Sequence, residues 1–174
     1  MYATSNGQTG VKCSPAGAAG GTSSIVGISN AYNPILISCS EEDSTSLWTY
    51  ATLNTWHVAD NSTANSVAII HSLAQGPVEL SYGVTAANNT IGSFTSIGVS
   101  EVDNQSNVYN FAEMSASTTT AANNYQQLFS HWGTYAQLGY HTYYALEKCD
   151  GSAGTTCSYN PYGGSMTFVV NTTY

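Results

Sequence analysis

The side chains that could carry chemistry are few, and no recognised motif connects them. The histidines show none of the His-Glu-x-x-His, His-x-His or mixed Cys/His spacings of metal sites; they are His57, His71, His131 and His141. The Gly-x-Ser-x-Gly turn that presents a serine nucleophile in many hydrolases is absent. A Ser–His–acid triad assembled only in space stays open. We expect surface or hydrogen-bonded histidines, no catalytic residues, no metal and no cofactor.

Acidic and aromatic side chains offer two further chemistries. Paired carboxylates for glycoside hydrolysis could come from the glutamates of predicted strands, Glu79, Glu101, Glu113 and Glu147. The acidic run 41–43 could contribute oxygen ligands to Ca²⁺, although a solvated loop or helix cap is the commoner role. Aromatic rings could stack on sugars, and core packing is the alternative for Trp48, Trp56, Trp132 and the 13 tyrosines.

Composition and charge exclude several partners. The 174 residues suffice for one domain with a core. Charged residues make up 7% of the chain, against roughly 25% in an ordinary soluble domain. Arginine is absent and the net charge is −8, so nucleic acid and anionic membrane surfaces are not expected partners. No apolar run approaches the ~18 residues of a membrane span.

Four cysteines indicate two disulfides, for which three connectivities are possible. We favour Cys13–Cys39 and Cys149–Cys157, and paired cysteines place the protein in an oxidising, extracellular space. The first residues lack the charged and apolar regions of an export signal, so we interpret the sequence as a mature secreted chain. The Asn-x-Ser/Thr pattern predicts glycosylation at Asn61, Asn88, Asn104 and Asn171.

The elements that must position these groups are short strands between turns. Residues 1–24 are rich in Gly, Ser, Ala and Thr and predict a flexible N-terminal arm or donor segment, followed by one β-sandwich domain over 25–174. Turns at Ala74–Pro77 and Asp103–Ser106 predict two hairpins. Strands are predicted at Ser24–Ile28, Ile35–Cys39, Leu47–Val58, Ser66–Leu73, Val78–Val84, Ser93–Val102, Asn107–Ser115, Ala136–Leu146 and Met166–Val170.

One helix is predicted within residues 121–132. Its apolar residues follow the i, i+3, i+4, i+7 pattern and are Tyr125, Leu128, Phe129 and Trp132. The strand after it alternates so that Tyr140, Tyr144 and Leu146 share one face. Eight or so short strands with one helix predict an all-β fold, an Ig-like or jelly-roll β-sandwich.

The lack of arginine, the two lysines, the Ser/Thr/Asn/Tyr richness and the Gly/Ser-rich arm resemble subunits of archaeal extracellular filaments, of the thread and bundling-pilus type. This resemblance is one of composition and layout over most of the chain. It implies a sandwich that lacks one strand, which a terminal segment of the neighbouring subunit supplies. Such a head-to-tail contact does not close and produces a filament. The best donor candidates here are Ser24–Ile28 and Ile35–Ile37.

The sequence therefore predicts a structural subunit of an extracellular filament at the cell surface, which binds copies of itself by β-strand complementation. Its role would be adhesion or cell–cell contact, with cell-surface glycans as a second class of partner. Two alternatives stay open. One is a secreted β-sandwich that binds or hydrolyses carbohydrate, and the other is a viral capsid or surface jelly roll.

Overall fold

The computed structural model describes residues 14–15, 36–71, 76–101, 110–115, 125–150, 155–160 and 166–173. These ranges contain strands and one 3₁₀ turn, Ala59–Asn61, and no α-helix. The strands are β1 Ser14–Pro15, β2 Leu36–Asp43, β3 Trp48–Tyr50, β4 Thr55–Val58, β5 Ser66–His71, β6 Pro77–Asn88, β7 Phe94–Ser100, β8 Asn110–Ser115, β9 Gln126–Tyr135, β10 Gly139–Asp150, β11 Cys157–Tyr159 and β12 Met166–Thr173.

The strands form two antiparallel sheets. Sheet A has the order β1-β5-β10-β7-β8, and sheet B has the order β2-β12-β6-β11-β3 with β9 also paired to β6. The long strand β6 organises sheet B because β12 and β11 pair with successive parts of it and β9 pairs with residues 77–86. The C-terminal strand β12 lies between β2 and β6, so it completes the sheet of its own domain.

The core lies between the two sheets and follows from period-two alternation. In β6 the side chains of Val78, Leu80, Tyr82 and Val84 are buried, and in β12 every second residue from Met166 is buried. Sheet A contributes side chains such as Ile97, Val99 and Ala145 to the same cluster. The predicted all-β sandwich is confirmed.

The helix predicted within 121–132 is wrong, because residues 126–135 form strand β9 (121–124 lie outside the described residues). Burial alternates with the period of two that is typical of a strand. Leu128 and Ser130 are buried, Phe129 between these two is exposed, and Trp132 is half-buried. β6 offers ten residues of backbone donors and acceptors to a neighbouring strand. Satisfying those groups outweighs a local helical pattern of apolar residues.

One predicted hairpin is wrong and the other pairing is confirmed. The strands on either side of Ala74–Pro77 do not pair, because β5 belongs to sheet A and β6 to sheet B. β7 and β8 do pair antiparallel, although the predicted turn Asp103–Ser106 lies outside the described residues. The predicted strand Leu47–Val58 is broken into β3 and β4, with Asn54 at a φ of 58° between them.

The face of β10 on which apolar residues alternate is not the one that fills the core. Tyr140 is exposed and Tyr144 half-buried, although Leu146 on the same face is buried, whereas Tyr143, Ala145 and Glu147 on the other face are all buried. Two residues of the predicted arm, Ser14–Pro15, pair with β5 at the edge of sheet A. The rest of the arm and the predicted strand Ser24–Ile28 lie outside the described residues.

Candidate functional site

Two histidines meet at one end of the sandwich, where β5 ends and β10 begins. Gly139 of β10 is the register partner of His71 in β5, so His141 lies diagonally across from His71. Their ring centroids are 5.2 Å apart. Nδ1 of His141 is hydrogen-bonded to Oε1 of Glu101, the residue after β7, and Nε2 of His71 lies 3.1 Å from the hydroxyl of Tyr143. We call these four residues the histidine cluster.

The histidine cluster is largely shielded from water. His71 is 2% exposed, and burial lowers its pKa to about 4; the neighbouring His141 lowers it further and the Glu101 carboxylate opposes the shift. His71 is therefore a neutral imidazole at neutral pH. The side chains of His141 and Glu101 are 13% and 35% exposed, so water reaches the cluster from the Glu101 side.

The same end of the molecule exposes large apolar side chains. Tyr135 ends β9, Leu138 lies in the connection to β10, and Tyr140 is the second residue of β10. Their exposed fractions are 73%, 64% and 68%. Leu36 of β2 is also exposed and lies near the same end, because it pairs with Thr173. The backbone of Thr173 lies close to Gly76, and the carbonyl of Gly76 accepts a hydrogen bond from the N–H of Ala136. We call this surface the histidine end.

A second exposed apolar group lies at the opposite end of the strands. Ile91 lies in the connection from β6 to β7, and Phe94 begins β7 and pairs with Asp150, the last residue of β10. Leu47, in the connection from β2 to β3, is exposed in the same half of the molecule and donates its N–H to the carbonyl of Asn160. We call the surface formed by Ile91 and Phe94 the turn end.

The outer face of sheet B between these ends is mostly polar. One row across the sheet runs from His131 through Ser81 and Val169 to Ser40, and the next contains Glu79, Asn171 and Ser38. The large apolar exception is Phe129, which is 71% exposed and lies over Gly83, where a Cβ atom would be only 2.8 Å from the ring. Apolar exposure of the described residues is therefore greatest towards the two ends.

The glutamates proposed for glycoside hydrolysis are not brought together where the structure describes them. Glu147 is completely buried, Glu79 is exposed on the outer face of sheet B, and Glu101 belongs to the histidine cluster. The side chain of Glu113 lies outside the described residues. A pair acting on one glycosidic bond must flank it within about 10 Å, and a carboxyl group enclosed in the core cannot reach a polysaccharide.

The acidic run 41–43 is part of strand β2, neither a loop nor a helix cap. Alternation places Glu42 on the exposed face and Glu41 and Asp43 on the other. Asp43 accepts hydrogen bonds from the backbone of Thr45 at 2.8 Å and from the Asn65 amide at 3.0 Å, and these bonds keep its pKa low against the effect of burial. The carboxylate thus connects loops of its own domain.

The tryptophans do not form an exposed platform. Trp48 is buried and stacks on Tyr159, Trp132 packs against the core, and the Lys148 ammonium lies 5.3 Å above the half-buried ring of Trp56. Among the tyrosines that the structure describes, Tyr135 and Tyr140 are the exposed ones, and the sequence did not distinguish them from the other tyrosines. Both tyrosines lie next to the short connection between β9 and β10, and this position was the signal in the sequence that could have indicated their exposure.

Three predicted modification sites lie within the described residues. Asn61 is exposed at a φ of 50°, and Asn171 is half-buried on the outer face of sheet B. Asn88 is 2% exposed, and its Nδ2, the atom that a glycan would occupy, donates to the carbonyl of Ser93 at 2.8 Å. Asn104 lies outside the described residues.

The predicted disulfide Cys149–Cys157 is present and joins β10 to β11, that is, sheet A to sheet B. Cys39 is also disulfide-bonded, and its predicted partner, Cys13, lies outside the described residues. In the described ranges no group of three or more His, Cys, Asp or Glu side chains could hold a metal ion. None of the helical structure described there has the length and apolar character of a membrane span.

The two antiparallel sheets and the disulfide between them place the chain in the class of disulfide-bonded antiparallel β-sandwiches. No protein-family model and no curated protein matches it. Among solved structures, it is similar to the crystal structure of the infectious bursal disease virus VP2 subviral particle, at 11% identity and a TM-score of 0.23. The match covers 91% of this chain and 45% of that chain, and a TM-score this low carries no argument about function.

Proposed function

We propose that this chain is an extracellular structural subunit that assembles head to tail with copies of itself. The observation that carries the proposal is the exposure of large apolar side chains at opposite ends of the sandwich, Tyr135, Leu138 and Tyr140 at one and Ile91 and Phe94 at the other. Exposed apolar groups of this kind mark association surfaces. Two different surfaces at opposite ends make a heterologous contact that propagates as a filament.

The disulfide and the small number of charges also support a role outside the cell. A covalent bond between the two sheets persists in an oxidising compartment. With two basic residues in the whole chain, specific ion pairs between subunits would be few, and apolar contacts and hydrogen bonds would carry the association. These properties suit a durable polymer that must survive variable surroundings.

For strand complementation, the pairing of Ser14–Pro15 with Val67–Ala68 indicates the position at which a donated strand would add. The arm of a neighbouring subunit could make the same antiparallel pairing with β5. It would then replace the subunit's own arm by an identical segment, as in domain swapping. Ile35–Ile37 is a poorer donor than the sequence indicated, because Leu36 and Ile37 pair with β12 and Cys39 is disulfide-bonded. The proposed donor is therefore the segment around residues 14–15.

The test uses variants that block one end at a time. Tyr135→Ser/Leu138→Ser/Tyr140→Ser removes the apolar groups of the histidine end, and Ile91→Ser/Phe94→Ser those of the turn end. Negative-stain electron microscopy and sedimentation velocity should show linear polymers for the wild type and monomers for each variant alone. A mixture of the two variants should stop at 1:1 dimers, because each retains one intact end.

Phe129→Ser is the matched control, since Phe129 is as exposed as Tyr135 but lies on the side of the sandwich. It should polymerise like the wild type. A wild type that stays monomeric at every concentration, or a Phe129→Ser variant blocked as fully as the end variants, would contradict the proposal. Closed isometric particles would instead support the capsid alternative.

Glycan binding is the second candidate, favoured by the two exposed tyrosine rings at one end. Tyrosine presents a flat apolar ring with a polar tip, which suits the face and hydroxyl groups of a sugar. A glycan array should then give signals that Tyr135→Ser and Tyr140→Ser abolish and that Phe129→Ser retains. An array without signal at high protein concentration would remove this candidate.

A further inference from the structure

One atom of the histidine cluster needs a physical explanation. Nε2 of His141 is buried and has no hydrogen-bond partner in the part of the chain that the structure describes. Leaving a buried polar atom without a hydrogen bond destabilises the folded state, so such atoms are rare unless something binds them. Nε2 of His57 is in the same condition, but the ring in contact with that imidazole belongs to Tyr50.

The surroundings of His141 Nε2 are those of a metal ligand. The opposite ring atom, Nδ1, is hydrogen-bonded to Glu101, and if Nδ1 carries the proton the lone pair is on Nε2. Metal-binding histidines are commonly held by a carboxylate in this way, which fixes the tautomer and raises the basicity of the ligating nitrogen. A second imidazole, His71, lies with its centroid 5.2 Å from that of His141.

We propose that His71 and His141 bind a divalent copper or zinc ion, with Tyr143 as third ligand and water completing the coordination. Imidazole nitrogens suit both metals, and a phenol oxygen suits Cu²⁺ in particular. Tyr143 is already placed, because its hydroxyl lies 3.1 Å from Nε2 of His71 and its ring stacks along that of His141. Coordination by Tyr143 would release its phenolic proton to solvent.

Burial and access agree with this assignment. His71 is 2% exposed and the side chain of His141 13% exposed, so both imidazoles are shielded from bulk water. The side chain of Glu101 is 35% exposed, so solvent reaches the Glu101 side of the cluster. Of the three proposed ligands, only His71 and His141 are His, Cys, Asp or Glu residues, and no group of three or more such side chains among the described residues could hold a metal ion. The proposal is independent of head-to-tail assembly.

The test is isothermal titration of the folded, disulfide-bonded protein with Cu²⁺ and with Zn²⁺ at pH 7. We expect one ion per chain, bound more tightly for copper, and an electron paramagnetic resonance spectrum of the copper form with two nitrogen ligands. His71→Ala and His141→Ala should each weaken binding at least tenfold, and Glu101→Gln about tenfold. Tyr143→Phe should remove a visible phenolate-to-copper absorption band.

Two histidines outside the cluster provide matched controls. His131→Ala removes an exposed imidazole on β9 and His57→Ala a buried one, and both should bind as the wild type does. No binding at millimolar metal, or unchanged binding by the His71→Ala/His141→Ala double variant, would overturn the proposal. If the cluster variants do not fold, a wild-type copper spectrum with fewer than two nitrogen ligands would overturn it equally.

Discussion

The hydroxyl of Tyr82 donates a 2.8 Å hydrogen bond to Oε1 of Glu147, a carboxyl group completely enclosed in the sandwich. Trp48 Nε1 donates to the other oxygen at 2.8 Å, and the backbone N–H of Asp60 lies 3.4 Å from it. This network joins β10 in sheet A to β3 and β6 in sheet B through polar groups. Burial raises the pKa of Glu147 to about 8, although these hydrogen bonds oppose the shift.

The contribution of Glu147 to stability should therefore fall as the pH rises from 4.5 to about 8. The unfolded chain has Glu147 ionised in this range, whereas the folded chain keeps it protonated, so unfolding releases a proton and becomes more favourable as pH rises. The stabilisation is complete below the unfolded pKa of 4.5 and is lost by about pH 8. Urea unfolding at fixed pH steps should show a loss of about 1.4 kcal/mol per pH unit. Glu147→Gln should abolish this slope, and Glu79→Gln, at an exposed position, should retain it.

His57 should act in the opposite direction in acid. It is 8% exposed, its Nδ1 bonds to the carbonyl of Val58, and burial lowers its pKa from 6.5 to about 4. The unfolded chain takes up a proton below pH 6.5 that the folded chain does not, so this contribution to stability is lost as pH falls from 6.5 to 4. The difference in unfolding free energy between wild type and His57→Gln should shrink over that range. A difference independent of pH would contradict this, and His131→Gln is the exposed control.

The disulfide between Cys149 and Cys157 should contribute measurably to stability. It closes a loop with a sequence separation of 8 and joins the two sheets. Closing a short loop limits the unfolded chain, and we expect the Cys149→Ala/Cys157→Ala variant to lose about 2–4 kcal/mol of unfolding free energy. Denaturant titration measures the loss. An unchanged midpoint with an unchanged slope would show that the bond adds no net stability.

Glycan occupancy should differ between the predicted acceptors. In protein from a glycosylating host, mass spectrometry should find Asn61 modified and Asn88 unmodified, because the Asn88 amide is buried and bonded to Ser93. Asn88→Asp should lower the unfolding free energy by about 1–3 kcal/mol, since it replaces a buried donor that faces a carbonyl. Asn61→Asp is the matched substitution at an exposed turn and should change stability little. A full glycan at Asn88 in folded protein would contradict the placement.

The strands that the sequence predicted best are those in which the alternation of apolar residues matches the alternation of buried residues in the paired strand. In β12 the buried residues Met166, Phe168 and Val170 alternate along the chain, and alternation alone indicates a strand with one inward face. The disulfide Cys149–Cys157 was equally accessible, because the two cysteines are close in sequence. That nucleic acid is not a partner follows from composition alone and stays a prediction.

Tertiary structure alone decided the rest, because these outcomes depend on partners far away in sequence. Residues 126–135 carry a helical spacing of apolar groups, yet β6 makes them a strand. The apolar alternation of β10 favours the face of Tyr140 and Tyr144, but the opposite sheet covers the other face. Glu147 is therefore buried, although its sequence context is that of a surface residue. His71, Glu101 and His141 come from three separate strands or their ends and meet only through strand register. Periodicity is a property of one segment, whereas pairing, register and burial are properties of two or more, and only folding brings those together.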